Sequence, residues 1–239
     1  MKYEQRFYRK IIDSELVATA VTIEESDLLI LSEKDLSCEA KKELRKQRNL
    51  LKTYIKNFPE FYYSFEPVRV DQSAPEIVKK MSDAAFLCNV GPMATVAGAI
   101  ADFVGRHLLR FAHEVIIENG GDIFLMIEKE RIVAIFAGTS PFSLKIGIRA
   151  KPKPYPFGIA TSSGTVGHST SFGKADSVTV LCPSATIADG LATFMCNQTL
   201  DDDFLGIKNS IKNFPFLEGI LVIKHEKLFA WGDIELVKI

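Results

Sequence analysis

An α+β fold, with mixed or antiparallel sheets and packed helices, is what this sequence predicts, and three observations predict it. Short β-type runs fill residues 3–32 and 114–150. A single long amphipathic stretch occupies residues 33–58, and a closing pair of runs, GILVIK and KLFAWG, reads as a hairpin. The chain of 239 residues is 47% hydrophobic, enough for a substantial core, and no fixed-period repeat divides it. One α+β domain over residues 1–239 is expected, with N-terminal strands and a helix up to 74 and a core from 75 onward.

Element by element, QRFYRKII, ELVATAV and DLLILS suit a small meander. From residue 33 the period changes, with Leu36, Ala40, Leu44, Gln47, Leu51 and Phe58 recurring at three and four until Pro59. Lys41, Lys42, Arg45, Lys46, Arg48 and Lys52 on this helix are interleaved with Glu39 and Glu43, so they read as a solvated face rather than a phosphate track. A second helix is expected from Pro75, as first helical residue, to about Leu87. A third begins at Gly91-Pro92, where free amides could meet an anion, and its small residues Ala94, Ala97, Gly98 and Ala101 imply close packing. Strands EVIIE, DIFLMIE, RIVAIFAG and SLKIGIRA follow, then DSVTVL, a helix from Ser184 to about Gln198 capped by Ser184, and a shorter helix within 203–213.

The net charge of −1 excludes a general affinity for nucleic acid or anionic membrane. MKYEQRFYRKII has neither an apolar segment nor a small-residue cleavage site, so a cytoplasmic location is expected, with no membrane span. Cys38, Cys88, Cys182 and Cys196 form no C-x-x-C pair and read as reduced, mostly buried thiols.

The chemistry points to residues 158–193. GIATSSGTVGHSTSFG is rich in hydroxyls and glycine and reads as a loop whose amides suit a polyanion, or else as a plain surface loop. His168 within it could move a proton or hold a phosphate. Asp189 and Thr193 lie four apart on one helix face and could offer two oxygens to Mg2+. The alternative is that Asp189 faces water or accepts hydrogen bonds from nearby backbone. Asn119-Gly120-Gly121-Asp122 reads either as a hairpin turn or as a close-approach site.

Taken in order, VGPMATVAGAIAD, ENGGDIFL, GIATSSG, SVTVL and ATIADGLATFM resemble the ApbE superfamily, over about residues 84–230, and in particular its short cytoplasmic branch of archaea and anaerobic bacteria. Typical members transfer FMN from FAD to a threonine of a target protein in a Mg2+-dependent reaction. The resemblance implies metal oxygens from Asp189 and Thr193. It implies a flavin-side role for Asn119, Gly120, Gly121 and Asp122, and a pocket role for Thr161 and Ser162 with Ser163 and Gly164 beside them. It also implies a nucleotide or flavin ligand and an acceptor protein. Two family segments differ: no D-P-x-T-G follows His168, and the A-K-G segment is absent, Thr95 lying near its place. An alternative implied for the branch is a non-flavinylating accessory protein in sulfur assimilation toward homocysteine, in which Cys88 or Cys182 would matter. A homo-oligomer through the helix of residues 33–58 is a third expectation.

Overall fold

In the computed structural model, which describes residues 15–165, 173–200 and 203–239, every strand pairing is antiparallel. The chain opens with the hairpin β1 (Val17–Ile23) and β2 (Ser26–Ser32), followed by the long helix α1 (Ser37–Asn57) and the single turn α2 (Glu60–Tyr63). Then come α3 (Glu76–Cys88), a 3-10 turn at Pro92–Thr95 and α4 (Val96–Leu108). Strands β3 (Val115–Asn119), β4 (Asp122–Met126), β5 (Arg131–Ala134), β6 (Ile146–Ala150), β7 (Phe157–Ser162) and β8 (Ser177–Cys182) lead into α5 (Ala185–Asn197). The short α6 (Leu205–Ser210), β9 (Gly219–Lys224), β10 (Lys227–Gly232) and β11 (Leu236–Lys238) complete it. The proposed strand at residues 3–12 lies outside the described residues.

Eight strands form one sheet in the order β1-β2-β3-β4-β7-β8-β9-β10, and β11-β6-β5 form a smaller one. Alternation along the strands shows the layering. Val115, Ile117 and Phe124 belong to the cluster built on α1, α3 and α4, and Ala160, Val178 and Val180 pack with α5. Their neighbours Ile116, Leu125, Ile159 and Leu181 face the opposite cluster, which includes Ala150 of the small sheet. Central strands are therefore buried on both faces, which is why β8 has no exposed position and reads as a continuous apolar run.

Several expectations need adjustment. Pro75 (φ −53, ψ 147) is the residue before α3 rather than its first member, its carbonyl accepting from Lys79 N at 3.0 Å. The third helix starts as a 3-10 turn and becomes α-helical only at Val96. β11 was not foreseen, because three residues show no period. The apolar stripe of α1 (Ala40, Leu44, Leu51) is buried within the chain's own core, while Leu50 and Phe58 of the same stretch remain exposed. Its basic face is solvated or ion-paired, with Arg48 bound to Glu24 and Glu25 and Lys52 to Glu24. Among the described residues no single helix is long and apolar enough to cross a membrane.

The largest correction concerns GIATSS, read as loop and found as β7, paired with β4 and β8. Its small residues serve packing, because a Cβ on Gly158 would lie 2.3 Å from Ala185 Cα. A strand pressed this closely beneath a helix loses the bulky residues by which strands are recognised. Gly158→Ala is expected to cost about 1–3 kcal/mol of stability, read as a lower urea midpoint with unchanged slope.

Candidate functional site at the head of helix α4

Helix α5 follows β8 after the short Pro183-Ser184 junction. Ser184, in extended conformation (φ −152, ψ 138), is its N-cap, and its hydroxyl accepts from Ile187 N at 3.4 Å. The stronger cap comes from elsewhere in the chain. Buried Asp102 of α4 accepts from Ser184 Oγ (2.7 Å), Thr186 Oγ1 (2.6 Å), Thr186 N (2.9 Å) and Ala185 N (3.3 Å). Four donors and the positive end of α5 thus surround one carboxylate, the anion that a helix N-terminus favours.

The reverse contact also exists. Asp189 of α5 accepts from Gly98 N at 2.9 Å through Oδ2, and the Ala97 amide bonds the same carboxylate. These amides belong to the first turn of α4 and lack intrahelical partners. The anion expected at the Gly91-Pro92 entrance is found instead at the Ala97 and Gly98 amides, and the chain supplies it from its own α5. Of the two alternatives for Asp189, the backbone-bonded one is therefore present. Although the residue keeps some exposed surface, burial pushes its carboxyl up to about 7, against the opposing pull of the Gly98 and Ala97 amides.

A carboxyl held above its unfolded value favours folding most at low pH, and that contribution fades as pH rises through about 7. The melting temperature should therefore fall between about pH 4 and about pH 7 and level off above that. Asp189→Asn, which cannot ionise, should flatten that part of the profile; an unchanged slope would exclude Asp189 as its source.

Other members of the expected set meet at the same place. Asn119 donates from Nδ2 to Ala97 O at 3.0 Å, tying the end of β3 to the head of α4. Gly120 and Gly121 (φ 74 and 109) form the two-residue turn between Asn119 and its partner Asp122. Gly121 N donates to Glu118 Oε1 at 3.0 Å. This turn abuts β7, since a Cβ on Gly121 would lie 3.6 Å from Thr161 O. Asn119-Gly120-Gly121-Asp122 is thus a hairpin turn and a close approach together.

Ser162 points to the α5 side of the sheet, as Gly158 and Ala160 do. It is buried, and its Oγ has no hydrogen-bond partner among the described residues. Thr193, one turn beyond Asp189 on α5, is half-buried. Thr161 is committed elsewhere, its Oγ1 lying 2.8 Å from Thr179 Oγ1.

Of the loop expected to cradle phosphate at residues 161–168, residues 161–165 are described, and their placed amides serve the chain itself. Thr161 and Ser162 are strand residues, Gly164 N donates to Ala175 O (2.9 Å), and Thr165 N donates to Ser163 Oγ (3.1 Å). His168 lies outside the described residues.

Three cysteines are buried and Cys38 is exposed. The Cys88 thiol, whose Sγ lies 3.5 Å from Ile187 O, is pushed up to about 12 by burial and then by the Asp189 charge; burial likewise holds the Cys182 thiol well above its ordinary value. Neither is a ready thiolate at neutral pH.

Among the described residues no three of His, Cys, Asp and Glu cluster to hold a metal ion. One carboxylate with a hydroxyl a turn away does not make a complete protein cage. It does fit a hard cation that keeps its waters and shares phosphate oxygens of a ligand.

Only its place in an apolar helix marks Asp102 in the sequence. A buried carboxylate there demands a partner, and that demand was the available signal.

The arrangement is that of the ApbE fold. The flavin transferase ApbE from Vibrio cholerae superposes with a TM-score of 0.59 at 15% identity, covering 92% of this chain and 98% of that one. The ApbE protein of Thermotoga maritima gives 0.52 at 13% identity over 90% and 96%. In sequence, the family model described as AbpE bacteria matches residues 9–208. The UPF0280 protein of Methanocaldococcus jannaschii is 40% identical over 226 residues, 91% of this chain and 92% of the relative. That of Methanococcus vannielii is 42% identical over 227 residues, 92% of each. The chain belongs to this AbpE family, alongside its UPF0280 members.

Proposed function

We propose that the head of α4 is a nucleotide-phosphate site and that the chain transfers FMN from FAD to a hydroxyl of an acceptor protein. The observation that carries this is the meeting of Asn119, which leads into the Gly120-Gly121 turn, with Asp189 at the first turn of α4, in a chain whose structural neighbours are flavin transferases. Asp189 and Thr193 would hold a Mg2+ ion, which when bound neutralises charge on the transferring phosphate.

The remaining work falls to the chain's own groups. Ser162 Oγ, buried with a hydrogen to give and no acceptor among the described residues, would donate to a ligand oxygen. The Gly120-Gly121 turn, with no side chain to obstruct, would let the flavin portion lie close to backbone. His168 would take the proton of the acceptor hydroxyl as its oxygen bonds to the FMN phosphorus and AMP leaves.

Incubation with FAD, Mg2+ and a threonine-containing acceptor should yield flavin-labelled acceptor and AMP in equal amounts. Absence of both products, together with no FAD-dependent rise in melting temperature, would remove the reading.

The accessory role in sulfur assimilation toward homocysteine is a second reading. It is favoured by the missing D-P-x-T-G segment and by the internal use of the Gly164 and Thr165 amides. It predicts FAD or nucleotide binding without transfer. Loss of homocysteine synthesis in a deletion strain, with rescue by Cys88→Ala and Cys182→Ala, would support it without a thiol mechanism.

A further inference from the structure

We propose that Glu43, Gln47 and His107 form a separate cation site, for a first-row divalent ion of the zinc type, that fastens α1 to α4. Glu43 and Gln47 stand one turn apart on α1 and are 7% and 3% exposed, although neither residue type is ordinarily buried. Gln47 Nε2 donates to Glu43 Oε1 at 2.5 Å, and His107 Nδ1 of α4 lies 3.6 Å from Glu43 Oε2.

The independent pointer is Gln47 Oε1, which is sealed from solvent and has no hydrogen-bond partner among the described residues. Exchanging the amide oxygen and nitrogen does not cure this, because it would set the oxygen against a carboxylate oxygen. Protonation of His107 does not cure it either, since the imidazole faces Glu43. A cation accepts lone pairs from all three groups at once.

The donor set selects the ion. One imidazole nitrogen, one carboxylate and one amide oxygen suit zinc and its neighbours rather than Mg2+ or Ca2+, which prefer oxygen alone. Access is through His107, whose side chain is 24% exposed, and waters would complete the coordination. Lys46 Nζ, 3.3 Å from Glu43 Oε1 with a 62% exposed side chain, occupies the carboxylate from outside and is free to swing away. The site is distinct from the head of α4, since His107 lies nine residues beyond Gly98 on the same helix, about 14 Å away.

The test uses the full chain carrying Asp189→Asn, so that the nucleotide site contributes no cation, after stripping with a chelator. Titration with Co2+ should produce visible absorption saturating at one ion per chain, and Zn2+ at about a hundredfold over Kd should raise the melting temperature by about 5 °C. His107→Asn and Glu43→Gln should each weaken binding by about tenfold or more, while Lys46→Met, which removes the competing ammonium, should tighten it. Circular dichroism checks folding; if Glu43→Gln fails to fold, His107→Asn on its partly exposed side chain decides. No absorption and no melting shift at millimolar metal would overturn the proposal, leaving a buried water as the partner of Gln47. Binding unaffected by His107→Asn would overturn it as well.

Discussion

Asp102→Ala should destabilise the chain by about 3–5 kcal/mol, read as a lowered urea midpoint or melting temperature. The cost comes from what is left behind. Two hydroxyls and two amides lose their common acceptor, and three of the four bonds are 2.9 Å or shorter. The site is closed to water, with Asp102 only 5% exposed, so solvent replaces little of what is lost. Asp102→Asn should fall between, because its oxygen still accepts while its NH2 group meets donors. Ser184→Ala removes one donor and the local cap together, and about 1 kcal/mol is expected. Equal stability of the alanine variant and the parent would mean that the α4–α5 junction is held by apolar packing alone.

Asp189→Asn is expected to have the larger effect on ligand. In the parent, FAD with Mg2+ at a hundredfold over Kd should stabilise by about 2.7 kcal/mol. In the variant the Mg2+-dependent part should vanish, because an amide oxygen brings no charge to a hard cation. The fold should survive, since the asparagine oxygen still accepts from the head of α4. Calorimetry with and without Mg2+ reads both quantities. Ligand binding that keeps its full Mg2+ dependence in the variant would move the cation away from Asp189.

What the sequence made legible follows from where the signals lie. The closing hairpin appeared with its observed boundaries because GILVIK and KLFAWG are bounded by turn residues. Helix α5 was found with its Ser184 cap because polarity changes sharply at Pro183-Ser184. Asp189 and Asn119 were identified from local motifs, and both contact the first turn of α4. The identity of β7 was hidden because its composition answers to the helix above it rather than to strand propensity. Asp102 was hidden for a different reason: its partner Ser184 is 82 residues away, and no local window contains both. The His107–Glu43 contact spans α1 and α4 and escapes a local reading in the same way.

Because Asp102 terminates α5 and Asp189 terminates α4, neither helix can lift away and keep its own end intact. Opening should therefore be shared. The amide protons of Gly98 and Thr186, at the starts of two different helices, should exchange with solvent through one common event and show the same free energy of opening in native-state hydrogen exchange. Helix ends ordinarily fray first and independently. Here the two ends nearest the proposed ligand should be as slow as the helix interiors, so that a nucleotide would meet a surface already rigid before it arrives.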